Sequence, residues 1–206
     1  GLGLATICLA TTTPLAAADP LRIDHLATWA RWLALGLGAI LVLLSWRPST
    51  DSDGPELVGS LLLVVAGMML VATAGELILI FLGLELISIP TYILLFVGRR
   101  TIEGRESTAK YFFLSILASA ILLFGLCFLY GSAGTTSLGA IQERLTDDAN
   151  PLVAAGSLAI VFIFAGLSFK IAAVPFHFYA ADVYQGTSNS NSALLSVAPK
   201  LAGFLV

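Results

Sequence analysis

Charge is scarce in this chain. Asp, Glu, Lys and Arg together make up 11% of its 206 residues, less than half the roughly 25% usual in soluble proteins, so a water-facing surface cannot be covered. Cysteine is scarce too. Cys8 and Cys127 both lie in apolar runs, with no C-x-x-C or Cys/His spacing, which argues against a disulfide framework, a zinc site or an iron–sulfur site. A formal net charge of −3, with no basic cluster interleaved with aromatics, leaves nucleic-acid binding without a footing. Gly-rich phosphate loops, nucleophile elbows, metal-ligand pairs on a helix face and haem-ligating histidine pairs are all missing. The chain is therefore expected to bind no cofactor and no metal of its own, and redox or hydrolytic chemistry must happen elsewhere.

What it has in excess is apolar length. Hydrophobic residues make up 58% of the chain and the mean hydropathy is +0.95. Runs of spanning or near-spanning length lie at about 1–17, 28–46, 57–74, 77–98, 111–131, 152–174 and 192–206, each near the 20 residues a helix needs to cross a bilayer. The expectation is an all-α, polytopic transmembrane bundle forming one domain over 1–206. The first run is the weakest, broken by Thr11, Thr12, Thr13 and Pro14. Gly1 opens the chain and Val206 ends inside an apolar run, so a fragment of a longer membrane protein is expected.

Polar connectors at 18–27, 47–56, 99–107 and 135–151 separate the runs and read as surface loops. Arg99, Arg100, Arg105 and Lys110 concentrate positive charge around one of them, which the positive-inside rule places in the cytoplasm. Alternation then puts Glu143, Arg144, Asp147 and Asp148 outside and residues 182–191 inside. Arg22 and Arg31 fall on the outer side, against the rule.

The informative residues are the charges inside the runs. Glu85 stands mid-way along ILIFLGLELISIPTYILLF, where an acidic group costs roughly 2.5 to 3.5 kcal/mol on insertion scales and so faces a bundle interior or wet cavity. It reads either as a hydrogen-bonded packing group or as a proton carrier. Pro90, five residues on, removes the backbone bond to the Leu86 carbonyl and predicts a kink.

Lys170 occurs in AGLSFKIAAVPFHFYAADVYQG, and two readings stand. If the span ends at Val174, Lys170 snorkels to the surface. If the helix breaks near Pro175 and resumes as a short second half, Lys170 and His177 border an internal cavity. Burial opposes the ammonium while a nearby carboxylate favours it, so the two forms approach each other in free energy, as a relay needs. Glu85 is the candidate neighbour. His177 reads equally as a relay or a packing residue.

Lys200 lies nine residues into the last run and reaches mid-bilayer if that helix continues. Lys110 opens its run directly after a polar loop and reads there as a snorkelling residue. Asp182 is a candidate for capping or orienting the broken segment, and Glu76 reads as interfacial.

Taken together, FLGLELISIPTYIL, STAKYFFLSILASAILLFGLCFLYGSAG and GLSFKIAAVPFHFYAADVYQG resemble the subunit N family of bacterial NADH-quinone oxidoreductase, called subunit 2 in mitochondria, from about Leu57 to the end. The resemblance implies a fourteen-helix antiporter-like fold, of which this is the N-terminal half, with a discontinuous helix over 170–186. It implies that Glu85, Lys170 and Lys200 carry protons along a central hydrophilic axis, and it raises Lys110 and His177 to candidate relay positions. The partners implied are the other membrane subunits of the complex and the lipid bilayer. NADH, FMN, iron–sulfur clusters and quinone are implied to be used by other subunits. The membrane implied is the bacterial inner (plasma) membrane, with the mitochondrial inner membrane as alternative.

There are departures. Tyr179, Ala180 and Ala181 precede Asp182, and TSNSNS follows Gly186, where the family reads PFHxWTPDVYxGAPTPV. Two rivals remain open at this point: a subunit of a cation/proton antiporter or membrane-bound hydrogenase, which share the fold, and a purely structural membrane subunit.

Overall fold

A computed structural model describes residues 2–3, 6, 20–45, 54–98, 101–146 and 153–206. Most of the first apolar run with Cys8, the greater part of the 47–56 connector, Arg99, Arg100, Asp147 and Asp148 lie outside the described residues.

Eight helices make up the described architecture. They are α1 (His25–Ser45), α2 (Gly54–Thr73), α3 (Leu77–Gly98), α4 (Ile102–Ala133), α5 (Leu138–Leu145), α6 (Val153–Ile171), α7 (Phe178–Gly186) and α8 (Asn189–Leu205). The first four are long and apolar enough to cross a membrane, and α6 carries a shorter apolar stretch, Gly156–Ile171. Among the described residues β structure is limited to two isolated bridges, Leu21 with Ala74 and Glu76 with Ser137. The large apolar side chains divide between inside and outside: Met68, Leu84, Ile87, Leu122 and Leu194 are buried, while Trp29, Leu43, Phe96, Phe113, Phe164 and Phe204 are exposed. An exterior with that many exposed apolar side chains suits lipid or a partner helix rather than water.

Two connectors differ from the expectation. Residues 99–107 read as a loop, yet α4 begins at Ile102, because the Thr101 hydroxyl accepts a hydrogen bond from the Gly104 N–H (3.1 Å) and caps the first turn. With 32 residues, α4 is roughly 48 Å long, more than the roughly 30 Å apolar thickness of a bilayer, so its first turns extend beyond the hydrocarbon. It stops at Gly134, whose φ of 65° is the left-handed conformation a glycine adopts without penalty. Residues 135–151 also read as a loop, yet α5 forms there. Its Leu138, Ile141 and Leu145 fall on one face and pack on the core, and the Arg144 side chain caps the end of α4 by donating to the Ala133 carbonyl.

Three connectors at one end of the bundle are laced by backbone bonds. Arg22 N–H donates to the Thr73 carbonyl, Gly75 N–H to Pro20, Leu77 N–H to Thr136 and Leu138 N–H to Gly75, all at 2.8 to 3.0 Å. These bonds satisfy peptide groups that no helix could.

Helix crossings are made by small residues, the usual basis of packing where lipid supplies no hydrophobic drive. Where α4 crosses α6, a Cβ on Gly166 would lie 2.7 Å from the Leu122 Cβ and 2.9 Å from the Ala118 carbonyl. α2 and α3 form the other extensive contact, and α8 touches α1, α2, α3 and α6.

The helix carrying Lys170 is broken, as the second of the two readings expected. α6 ends at Ile171, Ala172 turns left-handed with φ 57°, and α7 resumes at Phe178. Pro175 supplies no donor and disfavours helix at Val174. The freed carbonyls are taken up locally: Ser168 accepts from Ala173 N–H (2.8 Å), and Phe169 accepts from Ala172 N–H (3.0 Å) and from the Tyr179 hydroxyl (2.9 Å). Irregular backbone at membrane depth is tolerated on that condition.

Candidate functional site

α3, α4 and α6 bring three polar groups to one point. α3 is continuous through Pro90 and presents Glu85 and Ser88, three residues apart and so on one face. From α6, the Lys170 ammonium donates to the Ser88 hydroxyl at 2.5 Å and to the Ser119 hydroxyl of α4 at 3.3 Å. Ser119 in turn donates to Glu85 Oε1 at 2.5 Å. Lys170 Nζ lies 3.6 Å from the same oxygen, with the lysine side chain 3% and the glutamate 21% exposed. Lysine and glutamate are thus joined twice, as an ion pair and through a hydroxyl that both accepts and donates.

At that separation the attraction amounts to about 4 to 5 kcal/mol with an effective dielectric of ~20, enough to offset much of the cost of holding a charge among helices. Further along the same interface, Tyr92 donates to Ser115 (2.8 Å), extending the polar seam between α3 and α4.

A small cavity begins on the other side of Lys170. It has room for about one water and is lined by Lys170, Tyr111, Tyr179, Tyr184 and Lys200 among others. Lys200 donates to the Tyr184 hydroxyl at 2.7 Å and to the Leu195 carbonyl at 2.8 Å. Its ammonium also sits 5.4 Å from the centre of the Tyr184 ring, within cation–π range. Tyr179, which lines the cavity, stacks on Phe169 at 4.3 Å.

Of the five residues singled out in the sequence, Glu85 meets Lys170, and Lys200 lines the same cavity as Lys170. Lys110 is elsewhere: it pairs with Glu106 (2.8 Å) and Asp182 (2.9 Å), with 43% of its side chain exposed. His177 is exposed at the start of α7 and does not line the cavity. Asp182, expected to cap or orient the broken segment, ties α7 to α4 through Lys110.

Sequence reasoning missed Ser88, Ser119 and Tyr184. A signal existed for Ser119. Ser107, Tyr111, Ser115 and Ser119 recur every fourth residue along α4, and all four are buried; such a polar stripe on an apolar helix marks an internal face.

Residues 74–206 match the family described as NADH:quinone oxidoreductase/Mrp antiporter, TM. NADH-quinone oxidoreductase subunit N of Geobacillus kaustophilus is 36% identical over 98% of this chain and 41% of its own length. F(420)H(2) dehydrogenase subunit N of Methanosarcina mazei is 38% identical over 91% of this chain and 38% of its own. A chain of respiratory complex I from Thermus thermophilus superposes with a TM-score of 0.80 at 34% identity, covering 99% of this chain and 44% of that one. The chain therefore spans about two fifths of the relatives it matches.

Proposed function

Because the chain belongs to the NADH:quinone oxidoreductase/Mrp antiporter transmembrane family, we propose that it is part of a proton-translocating membrane subunit of an NADH-quinone oxidoreductase. Glu85, Ser119, Lys170 and Lys200 pass protons between its helices. The electron chemistry belongs to other subunits, which use NADH, FMN, iron–sulfur clusters and quinone, and the energy reaches this chain through the membrane subunits beside it. The bacterial homologues among its relatives favour a bacterial inner membrane.

The observation that carries this reading is the placement of Lys170. An amine buried to 97% and ringed by a carboxylate and two hydroxyls is costly to build for packing alone, whereas the same balance lets a small change in distance to Glu85 shift its charge. Lys110 anchors α7 at the end of the bundle, and His177 stands outside the hydrogen-bonded path.

Replacing Lys170 with Met in the intact complex is expected to lower NADH-driven proton uptake by roughly tenfold or more with assembly preserved. Uptake at the normal rate in an assembled complex would overturn the reading. A second reading, favoured by the Methanosarcina relative's name, is a complex fed by another electron donor; the donor that drives quinone reduction in purified complex separates the two.

A further inference from the structure

We propose that the phenol of Tyr184 is the proton bridge between Lys170 and Lys200, an assignment that rests on the relay reading above and supplies the handover it leaves open. The hydrogen bonds of Lys170 run towards Ser88 and Ser119, while those of Lys200 run to Tyr184 and the Leu195 carbonyl. Both lysines line the same cavity, which has room for about one water. A carbonyl only accepts, so of the two partners of Lys200 only the hydroxyl can take a proton and give one up.

The 2.7 Å contact serves both charge states. A charged Lys200 donates to the phenol oxygen; a neutral Lys200 accepts the phenol proton on its lone pair. In the forward step the Lys170 ammonium gives a proton to a water in the cavity, and that water gives one of its own to the Tyr184 oxygen. The phenol O–H proton moves to neutral Lys200, and Lys170 is left as the neutral amine. Water and tyrosine end neutral, and one proton has crossed. Rotation of the phenol O–H then resets the bridge.

α7 holds Tyr184 in place from both ends. At its start the Tyr179 hydroxyl is bonded to the Phe169 carbonyl (2.9 Å). Two residues before Tyr184, Asp182 is paired with Lys110 (2.9 Å). At its close, Gly186 lies so near α4 that a Cβ would stand 3.0 Å from the Glu103 carbonyl. His177, on the same segment, is exposed and borders no part of the cavity.

The test uses the complete complex in sealed vesicles, with NADH oxidation and proton uptake measured together for Tyr184→Phe and Lys170→Met. Phenylalanine keeps the ring beside Lys200 and removes only the hydroxyl. The expected result for Tyr184→Phe is a roughly tenfold loss of uptake with NADH oxidation by the assembled complex retained, and a larger solvent deuterium isotope effect on the uptake that remains. Normal uptake in Tyr184→Phe with impaired uptake in Lys170→Met overturns the bridge and leaves the relay standing. Normal uptake in Lys170→Met overturns both. Reduced uptake with an unchanged isotope effect assigns Tyr184 to packing and overturns the bridge. If the phenylalanine variant does not assemble, a ring-fluorinated tyrosine at position 184, more acidic but nearly the same shape, is expected to shift the pH profile of uptake; an unshifted profile overturns the proposal.

Discussion

Among the described residues, Lys110 and Lys170 both pair with carboxylates, in opposite surroundings. Lys110 lies 2.8 and 2.9 Å from Glu106 and Asp182, with all three side chains between 43% and 62% exposed. Lys170 lies farther from its carboxylate, at 3.6 Å, but is 3% exposed. Distance alone ranks the outer pair first; environment reverses the order. Exposed charges keep their hydration and are screened by salt, so their pairing contributes little. Inside the bundle water competes poorly, and each charge depends on the other and on the serines between them. The outer pair ties α7 to α4; the inner pair is the one on which the proposed proton relay rests.

That contrast is open to attack, most strongly at its inner member. Glu85→Ala strands a buried ammonium, and loss of one partner of a buried pair costs roughly 3 to 5 kcal/mol. Proton uptake is expected to collapse, and the Glu85→Ala, Lys170→Met double variant to be no worse than Lys170→Met alone, since the two act as one unit. Additive losses in that cycle would separate them. Ser119→Ala removes the hydroxyl bridge but leaves the ion pair; a loss of about 1 kcal/mol, near fivefold in uptake rate, is expected, and a loss as deep as that of Lys170→Met would make the serine, not the ion pair, the essential link. The smallest change belongs outside. Asp182→Asn is expected to change uptake by about twofold or less at low salt, with the difference shrinking as salt is raised. A salt-independent loss as large as that from Glu85→Ala would erase the distinction between the pairs.

Much of this was legible without coordinates. Glu85, Lys170 and Lys200 stood out because charge is rare in apolar runs and therefore costly, and the break after Lys170 was one of the two readings that Pro175 and the semi-polar stretch behind it left open. The extension of α4 back to Ile102 and the formation of α5 were harder to see. Short polar segments carry little periodic signal, and a cap such as Thr101 decides a boundary with one hydrogen bond. Ser119 was hidden for another reason. It lies 34 residues from Glu85, and no local pattern says which face of α4 meets which face of α3. The four-residue stripe from Ser107 to Ser119 narrows the choice of face without naming its partner.

From the residues alone came the helical class, the membrane setting and the short roll of buried charges, because each follows from the cost of moving apolar and ionic groups between water and lipid, and that cost depends on composition and local order. Which of those charges meet was decided only by the packing of helices distant in the chain. The crossing of α4 with α6 at Gly166 and the return of α7 onto α4 set Lys170 against Glu85 and Ser119, put Tyr184 beside Lys200, and left Lys110 and His177 outside.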